Sequence, residues 1–128
     1  MNIKEFQEWT REFDKTTGWE LLTTPQLLAH LTEEVGELAQ SINRTSEYRG
    51  EVRDQHLKNI GVELVDALWF LVKIANRFEV DLSANLQAFV DRVNAWPPEK
   101  HQGKLENGLE TLKRDLGRSD THHGVRSG

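Results

Sequence analysis

Two pairs of acidic residues in the chain have a spacing that suits the binding of a metal ion. Glu34 and Glu37 are three residues apart, as are Glu63 and Asp66, so each pair lies on one strip of a helix. On two facing helices the four carboxylates would surround one volume and repel one another. A divalent cation is their natural partner, and oxygen ligands with open positions suit Mg²⁺, or Mn²⁺ in its place.

The chemistry of such a site depends on the remaining ligands of the metal. Mg²⁺ bound through a few carboxylates usually retains waters and accepts phosphate oxygens. It can then neutralise a polyphosphate, activate a water and stabilise the charge that develops as a phosphoanhydride bond breaks. The acid pattern therefore predicts a metal-dependent site for a phosphorylated substrate.

The two acid pairs differ in how strongly they indicate a metal site. Glu33, Glu34 and Glu37 alone are also typical of an exposed helix face, because Glu is a good helix former. Glu63 and Asp66 instead interrupt an apolar stretch, where an unpaired acid costs free energy. That stretch is predicted to be buried, since one leucine-rich stripe recurs at helical spacing and further apolar residues fill the other faces. The stripe comprises Leu57, Gly61, Leu64, Leu68, Leu71 and Ala75.

The elements that position these acids are all predicted to be helices. A first helix covers residues 3–15 after the cap Asn2, and a second runs from the cap Thr24 to about Asn43. Residues 43–55 are predicted to be a loop or mobile lid edge whose arginines face solvent rather than phosphate. A central helix follows from about Asp54 to Phe78, and a further one runs from the cap Asp81 to the sequence Trp96-Pro97-Pro98. The second helix carries its own apolar stripe, formed by Leu28, Leu31, Val35, Leu38 and Ile42.

This order predicts an all-α fold, a four-helix bundle over residues 1–98 whose core is completed by oligomerisation. Residues 99–128 are predicted to be a polar tail. Four leucines between Leu105 and Leu116 give it one weak amphipathic helix, against which Gly108 counts. From Ser119 onward we expect disorder, with His122 and His123 as solvated residues rather than a metal site, because adjacent side chains point in different directions.

Composition excludes several classes of protein. The net charge of −5 and the pI of about 5.5 argue against a general nucleic-acid binder, which normally presents a basic face. The chain has no cysteine, its first residues lack the apolar core of a signal peptide, and its longest apolar run, Ala67–Val72, is too short to span a membrane. We expect a soluble, cytoplasmic protein without nucleic-acid or membrane partners.

Around the acids the sequence resembles the all-α nucleoside triphosphate pyrophosphohydrolases of the MazG-like superfamily. The resemblance covers roughly residues 3–98 and is carried by the motif Glu-x-x-Glu at Glu34 and Glu37, followed on a later helix by Glu-x-x-Asp at Glu63 and Asp66. It implies hydrolysis of a nucleoside triphosphate to the monophosphate and pyrophosphate, with Mg²⁺ held by these four residues. It also implies that Glu33 binds a further metal or orients the attacking water, and that the chain forms homodimers or homotetramers.

The same resemblance implies residues that bind substrate. The approach to the second helix looks like the branch acting on deoxycytidine triphosphate and related pyrimidines, in which aromatic residues matching Trp19 and Phe70 line the base pocket; ordinary core packing is the alternative. His30 is a candidate for contact with the base or a metal ligand. Many members have a lysine and an Asn-Arg pair for the phosphates, for which this chain offers Arg92 and Asn94 in a shifted register. Lys73 is another candidate, although the sequence favours a solvent-facing break in the apolar helix at this position.

Two other classes stay open at this point. A di-iron carboxylate oxidase also places acids inside a helical bundle, but it normally uses Glu-x-x-His on two helices, and neither acid pair has a histidine at that offset. A non-catalytic interaction bundle would leave the acids on a solvated face. In that case removal of Glu63 or Asp66 would stabilise the fold or leave it unchanged.

Overall fold

In a computed structural model of the protein, the backbone is described for residues 1–124 and the side chains for residues 1–117. All regular structure in this part of the chain is helical, which confirms the predicted all-α class. The described residues form five α-helices, which correspond to the four main helices and the additional tail helix predicted: α1 Ile3–Thr17, α2 Thr24–Glu47, α3 Gly50–Arg77, α4 Leu82–Asn94 and α5 Pro98–Gly124. A single 3₁₀ turn, Trp19–Leu21, connects α1 to α2.

Three predicted helix starts are set by side chains that bond to the first turn. Asn2 Oδ1 accepts a hydrogen bond from the Glu5 backbone N–H at 2.8 Å, and Asp81 Oδ1 accepts one from Ala84 N–H at 3.0 Å. The cap of α2 is Thr23 rather than the predicted Thr24. Thr23 forms a capping box with Gln26, whose Oε1 accepts from the Thr23 N–H at 2.8 Å, and this reciprocal pair moves the start by one residue.

The loop predicted over residues 43–55 is wrong. α2 continues to Glu47 and α3 begins at Gly50, so only Tyr48 and Arg49 lie outside a helix. Polar side chains, taken in the sequence as a loop signal, instead bond to their own helix: the Thr45 hydroxyl donates to the Ile42 carbonyl at 2.6 Å. Gly50 has a φ of 65°, which a glycine adopts without strain and which makes so short a turn feasible.

The arginines of this segment serve the turn. Arg49 Nη1 donates to the Ser46 and Tyr48 carbonyls at 3.2 and 3.0 Å, and Arg53 Nε donates to the Thr45 carbonyl at 3.2 Å. These carbonyls belong to the end of α2, where the last C=O groups of a helix have no partner within it. The exposed arginines therefore close the end of α2.

The residues form two compact units, Met1–Gln87 and Ala88–Gly128, whose boundary lies within α4. The predicted domain over residues 1–98 stays a prediction. In the first unit α2 packs along α3, and α1 packs against α3 and the 3₁₀ turn. Its buried apolar residues are Leu27, Ala67, Phe70, Val72 and Ala75. In the second unit the Trp96 ring contacts the ring of His101 at 5.1 Å and the Lys100 ammonium at 4.2 Å.

The leucine-rich stripe of the central helix is not buried as predicted. Leu57, Leu64, Leu68 and Leu71 are between 37% and 52% exposed in the single chain. The helices that pack on α3 cover the positions around Phe70 and Ala75 instead. Periodicity marks an apolar face but does not say which neighbour covers it, and within the part of the chain that the structure describes these four leucines stay partly exposed.

The C-terminal helix extends beyond the weak helix predicted around Leu105–Leu116. α5 includes Gly103, Gly108 and Gly117 without interruption. Residues 119–124, expected to be disordered, have helical backbone, and residues 125–128 lie outside the described part. None of the helices described has the length and apolar composition needed to cross a membrane. The cytoplasmic location stays a prediction.

Candidate active site

The four predicted metal ligands form one electrostatically coupled group between α2 and α3. Burial raises the pKa of Glu34, and the negative charges of Glu37, Asp66 and Glu63 raise it further, as does a hydrogen bond with Glu37. Each effect disfavours the ionised form of Glu34. The fold therefore brings together the two acid pairs, which are about thirty residues apart in the sequence, as the helical spacing predicted.

Two oxygens of this group are buried without a hydrogen-bond partner, Oε2 of Glu34 and Oε2 of Glu63. The other oxygen of Glu63 accepts a hydrogen bond from the Ser41 hydroxyl at 2.9 Å. An ionised carboxylate can only accept, so a buried unpartnered oxygen needs a donor or a cation. The donor set, oxygen only and negatively charged, fits Mg²⁺ or Mn²⁺.

The four acidic side chains lie near one another but do not form a preformed set of metal ligands. Among the residues described, no group of three or more histidine, cysteine or acidic side chains has the spacing of a preformed metal site. Mutual repulsion between uncompensated carboxylates accounts for this spread, and a cation would counter it. The metal site itself therefore stays a prediction.

Glu33 is set apart from the other acids. Its side chain is 71% exposed, and its Oε2 lies 3.7 Å from Nδ1 of His30. Glu33 is not among the charges that shift the pKa of Glu34. Its carboxylate is accessible to solvent, so it is available to a water molecule rather than enclosed with the other carboxylates.

The predicted base-binding residues form an aromatic cluster. His30 stacks on Phe70 with ring centroids 5.2 Å apart and planes 8° apart. Trp19 meets both rings edge-on, at 5.7 Å from His30 and 5.9 Å from Phe70. A cavity of about 260 Å³ opens beside this cluster; its lining comprises Thr17, Gly18, Trp19, Leu22 and His30.

These three rings therefore have different positions relative to the cavity. Trp19 and His30 line it, whereas Phe70 is only 5% exposed and is not part of the lining. Phe70 is a core residue that supports the ring of His30. The burial of Phe70 agrees with the alternative of core packing, and contact of Phe70, Trp19 or His30 with a base stays a prediction.

Lys73 is not solvent-facing. It is 1% exposed, and its ammonium forms an ion pair with Asp14 of α1. A charge that breaks an apolar pattern normally indicates the solvent side of a helix, but here α1 and the 3₁₀ turn supply a carboxylate and aromatic rings that accept it. Its partner in the structure is therefore a side chain of the same fold, and contact with phosphate stays a prediction.

Arg92 and Asn94, the remaining phosphate candidates, are exposed residues of α4 within the second compact unit. The guanidinium carbon of Arg92 lies 5.5 Å from the centre of the Phe89 ring. Arg92 and Asn94 lie two positions apart on α4. Their contact with phosphates stays a prediction.

A larger cavity of about 520 Å³ contains none of the predicted site residues. It lies between α1 and the turn that leads from α3 to α4. Its polar residues bond to one another: Arg11 Nη2 donates to Asn76 Oδ1 at 3.2 Å, and Asn76 Nδ2 donates to the Gln7 carbonyl at 3.2 Å. Gln7 Oε1 in turn accepts from the Leu82 N–H at 3.2 Å. These residues fix the turn before α4.

Three residues near the site were not identified from the sequence: Ser41, Asp14 and Trp69. Ser41 lies one turn after Glu37 on α2, a position from which a short hydroxyl can reach the facing helix. Asp14 and Trp69 belong to the surroundings of Lys73. Trp69 precedes Lys73 by four residues on α3, a spacing that could have indicated the contact, whereas no local signal pairs Asp14 with Lys73, 59 positions apart in the chain. Such partners emerge only when helices are packed.

Comparison with protein families agrees with this geometry. The model of the MazG nucleotide pyrophosphohydrolase domain matches residues 22–101, a range that includes Glu33, both acid pairs and His30 and leaves Trp19 outside. No curated protein and no solved structure matches the chain significantly. Because the family match extends over more than half of the sequence, the chain belongs to the MazG nucleotide pyrophosphohydrolase family.

Proposed function

We propose that this nucleoside triphosphate pyrophosphohydrolase depends on Mg²⁺ and favours a pyrimidine deoxynucleoside triphosphate such as dCTP. The products are the nucleoside monophosphate and pyrophosphate. The observation that supports metal dependence best is the pair of buried carboxylate oxygens, on Glu34 and Glu63, that have no hydrogen-bond donor. A cation that also accepts phosphate oxygens would satisfy both oxygens and bring the substrate to the same place.

In this mechanism Glu34, Glu37, Glu63 and Asp66 would hold Mg²⁺, which would supply positive charge against the triphosphate and lower the pKa of a water ligand. Ser41 fixes the orientation of the Glu63 carboxylate through its hydrogen bond. Glu33, exposed beside the cluster, orients the attacking water and accepts its proton.

The preference for a pyrimidine is supported by the aromatic walls of the smaller cavity. Trp19 and His30 present ring surfaces on which a flat base can pack. At about 260 Å³ this cavity is at or below the lower end of typical ligand pockets. A small single-ring base suits such a space better than a purine.

We also propose that the protein works as a homo-oligomer. The leucine-rich stripe of α3 is exposed, and so are Leu28, Val35 and Ile42 of α2, each at least half exposed. Together these residues form an apolar surface on the two helices that carry the acids, of the kind that marks an interaction site. A second copy has the same surface and would cover it by two-fold symmetry.

The test is hydrolysis by the purified protein. Each common and damaged nucleoside triphosphate is incubated with Mg²⁺, and the products are separated by ion-exchange chromatography. We expect monophosphate and pyrophosphate from one substrate class. Glu63→Gln should lower the rate by at least about 100-fold, the upper end of the cost of losing an outer-shell partner of a metal ligand. Glu12→Gln, the same change at an exposed position of α1, serves as the matched control.

Three results would contradict this proposal. No turnover of any nucleotide would favour a non-catalytic interaction bundle, and activity that survives Glu63→Gln would contradict the metal site at these acids. Iron in the purified protein together with oxidase activity would favour the di-iron class, against which the missing Glu-x-x-His motif already counts.

A further inference from the structure

The ammonium group of Lys73 lies in a cage of three aromatic rings, and one of these rings, that of Trp19, also lines the predicted base pocket. Its Nζ is 3.9 Å from the centre of the Trp69 ring, 4.6 Å from that of Trp19 and 5.8 Å from that of Phe13. Asp14 accepts a hydrogen bond from it. The cage thus joins three elements, α1, the 3₁₀ turn and α3.

The stability of the fold does not by itself explain why the ion pair of Lys73 and Asp14 is buried here. Desolvation lowers the pKa of Lys73 from its ordinary value, and the hydrogen bond and charge of Asp14 act in the opposite direction. Burial of an ion pair often costs as much as the attraction returns, and apolar residues of similar volume commonly serve equally well. A role in holding the surrounding rings explains a charge here better than a role in stabilising the fold.

Among the rings of the cage, that of Trp19 is the one least constrained by its own backbone. It belongs to a 3₁₀ turn of only three residues, whose backbone constrains it less than a long helix would. Side chains of α3 hold it: Arg77 Nη2 donates to the Trp19 carbonyl at 3.1 Å, and the Lys73 ammonium lies over its ring. The rings of Trp69 and Phe70 also contact it, at 6.0 and 5.9 Å between centroids. Trp19 in turn lines the cavity together with His30.

We propose that Lys73 and Asp14 are positioning residues, which fix the ring of Trp19 as a wall of the base pocket and thereby determine which bases the enzyme accepts. The inference rests on the proposed function, because it assigns a role within the site where the base binds. It differs from the role as a phosphate contact that the sequence offered for Lys73. A phosphate contact acts on every nucleotide alike, whereas a positioned pocket wall acts on the choice among bases.

This difference provides the kinetic test. In the double variant Lys73→Met/Asp14→Asn the ion pair is removed without leaving an unpaired buried charge. We expect KM for the preferred nucleotide to rise about tenfold, with kcat nearly unchanged, because the lost cation–π contacts are each worth about 0.5–2 kcal/mol. The ratio of kcat/KM between the preferred and a disfavoured base should fall by about the same factor. Asp54→Asn/Lys58→Met makes the same changes at exposed positions of α3 and should leave both quantities unaltered.

An equal loss of kcat/KM for all bases would overturn the proposal in favour of phosphate contact, and unchanged kinetics in the folded double variant would overturn it as well. Should the double variant not fold, Lys73→Met/Asp14→Leu is the second variant, because apolar side chains of similar volume commonly replace a buried ion pair without loss of stability. The same rise in KM and the same loss of base discrimination are expected.

A second measurement does not depend on activity. In protein labelled with 5-fluorotryptophan, the ¹⁹F resonance of Trp19, assigned through Trp19→Phe, should shift or broaden in the double variant. The resonance of Trp96, in the other compact unit, should not change. An unchanged Trp19 resonance would overturn the inference. If the wild-type protein hydrolyses no nucleotide, the proposed function fails, and this resonance still decides whether Lys73 and Asp14 position the ring.

Discussion

Glu34 and Glu63 each keep one carboxylate oxygen buried without a donor, in a group that also contains Glu37 and Asp66. At the scale of the residue this is an unfavourable arrangement, because burial and like charges both oppose ionisation. It becomes favourable when a cation is bound. The same carboxylates are therefore expected to destabilise the protein without metal and to stabilise it with metal.

The first prediction concerns the variant Glu34→Gln. The raised pKa of Glu34 means that the folded state holds a proton that the unfolded chain releases, so the free energy of unfolding falls as pH rises from the ordinary pKa of Glu to the raised one. The variant does not titrate. Without divalent ions the variant should have a higher free energy of unfolding than the wild type above this window, and should show no gain below the ordinary pKa of 4.5. Thermal unfolding from about pH 4 to about pH 8 tests this.

Mg²⁺ should reverse the order of stability. It is expected to raise the melting temperature of the wild type and to have little effect on Glu34→Gln, since ligand binding stabilises only the protein that binds it. Calcium-free buffer with a chelator gives the reference state. If the melting temperature of neither protein changed with Mg²⁺, the assignment of these acids as metal ligands would be contradicted.

At the scale of the elements, the relation between α2 and α3 decides the geometry of the site. Each helix carries one acid pair, and the hydrogen bond from the Ser41 hydroxyl to Glu63 joins them at 2.9 Å. Ser41 is 5% exposed, so water does not readily replace it. A residue that the sequence did not single out thus orients a predicted metal ligand.

The variant Ser41→Ala should therefore weaken Mg²⁺ binding. Loss of the hydroxyl leaves Glu63 Oε1 without its donor and the carboxylate without a fixed orientation, and outer-shell partners of this kind are worth about 10- to 100-fold in affinity. Isothermal titration with Mg²⁺ measures the change. The control is Ser46→Ala, because that hydroxyl bonds only to the Asn43 carbonyl of its own helix at 2.7 Å. Equal Mg²⁺ affinity in the two variants would show that Ser41 does not position the ligand.

At the scale of the whole molecule, a single chain leaves too much apolar surface uncovered on α2 and α3. Leu64 is 52% exposed and Leu68 37%, on the helix that also carries Glu63 and Asp66. Surfaces of this kind on soluble proteins mark interaction sites. Covering them in an oligomer would also restrict the motion of the helices that hold the acids.

The variant Leu64→Lys tests this directly. In a two-fold interface each substitution occurs twice, and burial of one leucine is worth about 1.5–3 kcal/mol, so the dissociation constant should rise by at least about 100-fold. Sedimentation velocity over a range of concentrations measures the effect. Leu21→Lys, at a leucine 83% exposed outside the stripe, provides the control and should keep the oligomer intact. A wild-type protein that sediments as a monomer at all concentrations would rule out the proposed oligomer.

The sequence by itself determined what depends on near neighbours in the chain. The all-α class follows from helical periodicity, and the caps at Asn2 and Asp81 follow from side chains that reach the backbone three residues on. The spacing of three within each acid pair put both members on one strip of a helix, and the structure couples the pairs. These are local properties, because the chain geometry of a helix relates residues a few positions apart.

Only the tertiary structure decided properties that depend on which surfaces meet. Lys73 was compatible with a solvent-facing position, but α1 supplies Asp14 and buries it. The leucine-rich stripe was expected to be buried, yet among the described residues its four leucines stay partly exposed, whereas its Ala75 is buried. Polar residues after Asn43 signalled a loop, although their side chains bond within α2 and prolong it. In each case the free energy of a side chain depends on partners distant in the sequence, and local pattern carries no information about them.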